Sequence, residues 1–215
     1  MDKAEKLKEL HQQIDNDKSL PLRSGATQLV FGEGDPDSQI YFLGEAPGFY
    51  EDQQGKPFVG AAGKLLEQLL ATIDLNRQQV YISNIVRFRP PGNRDPLPEE
   101  IAAFAPYVDQ EIEIIKPKLI VTLGRFSMNK FLPNTKISQI HGQSKWVNWK
   151  GQQTLVIPMF HPAAALRADN VMQMLKADFL KIPELMSLIK PDKKQPEEIK
   201  IAPVADDRPK QLELI

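Results

Sequence analysis

Ile40-Tyr41-Phe42-Leu43-Gly44-Glu45-Ala46-Pro47-Gly48 is an apolar run that stops at a glycine and passes into a loop marked by proline and glycine. A short continuous apolar run bounded by turn residues reads as a strand buried on both faces. Residues 80–82, 119–123 and 155–157 have the same character. Helical patterns separate the four runs. Residues 63–73 carry Leu65, Leu66, Leu69 and Leu70, and residues 98–116 open with Pro-Glu-Glu. Proline fits the first turn of a helix, and acids favour the positive end of its dipole. Residues 126–132 and 171–189 complete the set. Strands alternating with helices predict an α/β fold: a three-layer α/β/α sandwich around a central, mostly parallel four-stranded sheet.

The 215 residues suit one such domain, residues 1–188, followed by a tail, 189–215. Hydrophobic residues make up 41% of the chain, enough for a substantial core. Lys and Arg total 27 against 28 Asp and Glu, a net charge of −1, so any nucleic-acid contact must come from a local basic patch. The absence of cysteine excludes disulfides, thiolate metal sites and cysteine nucleophiles. No apolar run approaches the roughly 18 residues of a membrane span. Residues 1–10 mix Lys and Glu with apolar residues and read as an amphipathic helix, not a signal peptide. A cytoplasmic monomer without metal or cofactor is the expectation. Residues 190–210 hold four prolines, many charges and few large apolar groups, a composition expected to stay flexible.

In sheets of this kind ligands sit beyond the carboxyl ends of the strands. Residues 44–52 and 55–63 follow the first run, Ser83-Asn84 and residues 87–94 the second, and residues 160–167 the fourth. These loops bring carboxylates, an amide, an aromatic ring and a histidine to one edge. Singly, each signal is bland: a turn, a cap, a loop corner. His11 and His141 read as a solvated helix face and a loop.

Together the strings resemble the uracil-DNA glycosylase superfamily, in its thermostable family 4. They are Gly44-Glu45-Ala46-Pro47-Gly48, Glu51-Asp52, Pro57-Phe58-Val59-Gly60 with Gly63, Ser83-Asn84, residues 89–96, Leu123-Gly124 and His161-Pro162. The resemblance covers roughly residues 20–183 and implies an enzyme that flips uracil out of single- or double-stranded DNA and hydrolyses its glycosidic bond. It implies Phe58 as the ring against the flipped base and Asn84 as the amide that reads the uracil edge, since an amide offers both donor and acceptor. It implies His161 as the donor to the departing base. Glu45, with Glu51 as competitor, would stabilise the sugar cation or orient the attacking water. Gly44 and Ala46 belong to the loop whose amides hold the base or a phosphate. Tyr50 or Phe58 would refuse the methyl of thymine. Arg87, Arg89, Arg94 and Arg167 are candidates for phosphate contacts, and Leu166 for a wedge into the base stack.

The sequence departs from that superfamily in two respects. The resemblance implies four cysteines holding a four-iron, four-sulfur cluster; the corresponding positions here are Asp17, Leu20, Phe88 and Phe104. The two rings and the leucine are expected to fill the space as an apolar plug. A self-trapping subgroup uses a histidine in a basic insertion, which would fall between Arg87 and Pro90, where only Phe88 and Arg89 stand; turnover is expected. Two other functions compete: a DNA-binding relative without catalysis, and a glycosylase for another deaminated base such as hypoxanthine. Finally, Gln211-Leu212-Glu213-Leu214-Ile215 resembles the short peptide by which bacterial repair proteins dock on the sliding clamp. Leu212, Leu214 and Ile215 would supply the apolar contacts, and Gln211 an orienting amide.

Overall fold

The computed structural model describes residues 1–189. The clamp-like residues Gln211, Leu212, Leu214 and Ile215 lie outside the described residues. In chain order the elements are α1 (Lys3–Asn16), β1 (Glu33–Gly34), β2 (Ile40–Gly44), α2 (Phe49–Gln54), α3 (Ala61–Ala71), β3 (Tyr81–Asn84), α4 (Pro98–Ile115) and β4 (Leu119–Leu123). They continue with α5 (Arg125–Phe131), α6 (Ile137–Ile140), β5 (Lys145–Trp149), β6 (Gln152–Met159), α7 (Pro162–Ala165), α8 (Asp169–Phe179) and α9 (Ile182–Leu188).

The sheet runs β1-β3-β2-β4-β6-β5. The four expected runs are its centre, and β3, β2, β4 and β6 are all parallel. The sheet has six strands among the described residues, not four, because an antiparallel strand closes each edge. β2 shows why the centre was recognisable: Tyr41 and Leu43 face one apolar layer and Ile40 and Phe42 the other, so both faces are buried. The first layer contains α1, α4 and α5 and the second α3, α8 and α9, which makes the three-layer sandwich.

The expected helix over 171–189 is two helices, α8 and α9. Pro183 stands in the first turn of α9, where its missing N–H is harmless; inside one continuous helix it would clash with the preceding turn. The N-terminal helix begins at an Asp2 capping box, in which Asp2 Oδ1 accepts from Glu5 N (2.8 Å) and Glu5 Oε2 accepts from Asp2 N (3.1 Å).

Arg87 requires a correction. Expected at a DNA phosphate, it is wholly buried, with 0% of its side chain exposed. Its Nη2 donates to Glu111 Oε2 at 2.7 Å, its Nη1 bonds Ser83, and the Tyr41 hydroxyl closes the cluster on Glu111. Glu111 belongs to the buried stripe of α4 with Phe104, Val108, Ile112 and Ile115. A carboxylate in such a stripe needs an opposite charge, because an isolated buried ion costs several kcal/mol. Arg87 supplies that charge. The acid at 111, in step with the apolar stripe, was the sequence signal for it.

Candidate active site

The carboxyl ends of β2, β3 and β6 deliver the site. β2 ends at Gly44, in register with Asn84 at the end of β3, and β6 leads through Phe160 into His161, the N-cap of α7. They open onto a pocket of about 340 Å³ lined by Glu45, Ala46, Glu51, Phe58, Asn84, His161 and Arg167, among others.

Gly44 lets two wall residues close in by what it lacks. A Cβ there would lie 2.4 Å from Asn84 Oδ1 and 2.6 Å from the Phe58 ring, so any side chain would displace both wall residues. Asn84 is buried, and its Oδ1 has no hydrogen-bond partner in the protein. Buried polar atoms are normally satisfied; this one is left unpaired, on a side chain that belongs to the pocket lining. Phe58 adopts a left-handed backbone (φ 54°), which costs about 1–2 kcal/mol for a residue with a side chain. Arg77 holds it there by donating to the carbonyls of Phe58 and Pro57, both at 2.7 Å. The Phe58 ring faces the His161 imidazole with centroids 5.6 Å apart.

The two carboxylates are held differently. Glu51 Oε1 accepts from the amides of Val59 (2.9 Å) and Gly60 (2.8 Å), and Oε2 from Gly48 (3.1 Å). It ties the loop after β2 to the loop before α3. Glu45 Oε1 accepts from the amide of Phe126 at 3.1 Å, and the backbone N–H of Arg125 also favours its ionised form. Burial raises its carboxyl to a pKa of about 7, against the partial relief of those amides, and Asp95 pushes in the same direction as burial. Gly124, at φ 105°, makes room for it; a Cβ there would meet Glu45 Oε1 at 2.2 Å.

His161 Nδ1 accepts the backbone N–H of Ala163 at 3.1 Å. That bond places the ring proton on Nε2. Burial depresses its pKa to about 4, opposed by Glu51 and assisted by Arg167. At neutral pH the site therefore holds an uncharged imidazole with one N–H to donate.

Of the remaining candidates only some line the pocket. Arg167 and Arg94 line it, and Arg94 is also bidentate to Glu100 at 2.8 and 2.6 Å. Arg89 donates to Asn93 Oδ1 at 2.7 Å and lies over the Phe49 ring. Leu166, the C-cap of α7, is 49% exposed. Tyr50 stands outside the lining, whereas Phe58 is in it.

Fold and pocket define a class: an α/β/α protein whose site suits a flat ring with hydrogen-bonding edges. The family model described as the uracil DNA glycosylase superfamily matches residues 31–182. A type-4 uracil-DNA glycosylase of Sulfurisphaera tokodaii is 47% identical over 191 residues, 86% of each chain. One of Archaeoglobus fulgidus is 42% identical over 197 residues, 89% of this chain and 96% of its own. A type-5 uracil-DNA glycosylase of Thermus thermophilus is 34% identical over 118 residues, 48% of this chain and 53% of its own. The chain belongs to the uracil DNA glycosylase superfamily, and within it to the type-4 group.

The positions at which the resemblance expects cluster cysteines do not fit an iron–sulfur cluster, which thiolates hold. Phe88 and Phe104 are buried with ring centroids 6.0 Å apart, and Leu20 packs in the same apolar layer. The Arg23 guanidinium covers the Phe88 ring at 4.6 Å. Asp17 stands at the margin, accepting from the Tyr107 hydroxyl at 2.6 Å and from Ser19. Among the described residues no group of three or more His, Asp or Glu is placed to hold a metal ion, and no helix is long and apolar enough to cross a membrane.

Proposed function

We propose that this chain removes uracil from DNA by hydrolysing the bond between N1 of the base and C1′ of the sugar, leaving an abasic site. The observation that carries the reading is the orphaned amide oxygen of Asn84 in a pocket walled by Phe58 and a neutral His161. The flipped base lies on Phe58, and Asn84 reads its edge. Uracil offers the N3 proton to the waiting Oδ1, and cytosine does not. As the C1′–N1 bond breaks, its electron pair leaves with uracil, and His161 Nε2–H donates to the charge building on O2. Glu45 orients the water, takes its proton as the oxygen bonds C1′, and stabilises the sugar cation before that. Glu51 has its two oxygens engaged by three backbone amides and acts by shaping the loop. Glu45 lines the pocket and has fewer backbone amides on it than Glu51, which suits it to hold a water. Arg89, Arg94 and Arg167 are the phosphate contacts of this reading and Leu166 its wedge. Single- and double-stranded DNA are both substrates, with no added metal, and the site of action is cytoplasmic. Release of free base from oligonucleotides tests the function as a whole.

The assignment of Glu45 has its own test. A base must be ionised, so kcat/KM falls about tenfold per pH unit below about 7, while His161 stays neutral down to about 4. The folded protein favours the neutral carboxyl of Glu45. The stability this provides is complete below about pH 4.5 and is lost as pH rises through about 7. Glu45→Gln keeps the neutral form at all pH values. At pH 8 it is expected to gain on the order of 2 kcal/mol in stability, allowing for partial solvent access, while losing most activity. Urea unfolding at pH 5 and 8 measures the first and a pH–rate profile the second. A variant with parental activity rejects Glu45 as the base.

The residues Gln211, Leu212, Leu214 and Ile215 are proposed to dock on the sliding clamp and hold the enzyme near DNA. A pentapeptide buries little area, so a Kd on the order of micromolar is expected. The comparison is between the intact protein and one ending at Lys210; equal binding by the two removes the clamp from the account.

A further inference from the structure

Phe49 and Tyr50 open α2 and are 50% and 60% exposed. Phe49 is the one exposed phenylalanine among the described residues; the others are buried or half-buried. Large rings are usually drawn into a core, since each buries 150–250 Å². These two instead pack edge to face on one another at the surface, with centroids 5.5 Å apart and an interplanar angle of 81°. Their neighbours tie them to the pocket mouth. Gly48, the N-cap of α2, lines the pocket. Tyr50 lies over Gly60, where an added Cβ would sit 3.4 Å from its Cδ2. The Arg89 guanidinium stands 5.1 Å from the Phe49 ring centroid and is fixed from its other side by Asn93, itself part of the pocket lining. Two half-exposed rings, a guanidinium over one of them, and further arginines at 94 and 167 on the pocket wall form a surface for an anionic chain of flat rings.

We propose that Phe49 and Tyr50 form a stacking platform for an unpaired base next to the flipped uracil, with Arg89 holding Phe49 and reaching the adjoining phosphate. The inference rests on the DNA reading above and adds the substrate form it favours: single-stranded DNA, or a locally opened duplex, in which a neighbouring base is free to leave its stack. Stacking on aromatic side chains is indifferent to base identity, because every base has a π face. The platform therefore sets affinity and strand preference, while Asn84 sets the choice of base.

The test measures binding to a single-stranded oligonucleotide carrying 2′-fluoro-deoxyuridine, which resists cleavage. The nucleotide on either side of it is normal or replaced by an abasic tetrahydrofuran residue. Removing one stacked base at an exposed site is expected to weaken binding about 5- to 20-fold on the platform side and little on the other. Phe49→Leu/Tyr50→Leu keeps the apolar bulk and removes the π faces. It is expected to weaken binding to intact DNA by the same factor and to be insensitive to the abasic replacement. Leu180→Ser, an exposed apolar position on another element, serves as the control and is expected to bind like the parent. If the parent ignores both abasic replacements, or if parent and double variant respond to them equally, the platform is refuted. A double variant altered in oligomeric state and not in DNA affinity refutes it too, assigning the rings to a contact between copies. Uracil release from the ordinary deoxyuridine oligonucleotide by the parent is scored separately. Its absence overturns the catalytic reading and leaves the binding comparison to judge the platform.

Discussion

His161→Ala and Asn84→Ala are each expected to lower kcat for uracil release by about 10²–10³-fold while the protein stays folded. The size follows from the role. Deleting one preorganised donor to a developing anion typically has that effect, because the donor acts where charge appears and needs no reorganisation. His161 is set for it: its Nδ1 is engaged by Ala163 N, its ring is held neutral by burial, and Nε2–H remains to donate. A neutral donor also avoids the like-charge cost of placing an imidazolium near Arg167. For Asn84, the loss reflects an unread base edge and a pocket left with no group to fix the ring plane. Neither residue carries the core: Asn84 ends a strand, and His161 caps a four-residue helix. Circular dichroism and urea midpoints within about 1 kcal/mol of the parent, together with the fall in kcat, are the expected pair of results. Parental kcat in both variants rejects the site.

The second large effect is on stability. Phe104→Ala is expected to cost about 3–5 kcal/mol, the range for deleting a buried aromatic ring where the surroundings collapse only partly. Phe104 is fully buried and packs on Phe88, which is clamped from its other side by Arg23. Arg23 is itself fixed by donating to the carbonyl of Ile14 at 2.7 Å and of Asp15 at 2.9 Å. Elements this tied do not relax into a void. The corresponding fall in Tm is about 6–20 °C for a domain of this size. A loss below about 1 kcal/mol means that the two rings do not substitute structurally for the cluster that the family resemblance implies.

The centre of the fold was legible because parallel strands covered on both faces must be continuously apolar, and 40–43, 119–123 and 155–157 are. The edges were not. β1 is two residues long, and β5 exposes Lys145, Trp146 and Asn148, so its sequence reads as surface. Asn84, Phe58, Glu45 and His161 were legible as a group because strand ends converge on one edge, and the structure does bring them together. The contacts of Glu51 were not, since they depend on amides at 59 and 60 that reach it only after the chain has turned. Arg87 was misplaced for a related reason: a basic residue among Arg89 and Arg94 looks like surface until α4 folds Glu111 against it. What periodicity cannot convey is which polar group is already satisfied by a partner distant in sequence.

The measurement that bears most directly on the central claim is base release from matched oligonucleotides carrying uracil, cytosine, thymine or hypoxanthine at one position, single-stranded and in duplex, by the parent and by Asn84→Ala. The account predicts free uracil and an alkali-labile abasic site from the uracil strands alone, lost in the variant. Release of hypoxanthine in preference to uracil, or DNA binding with no base released, would contradict it.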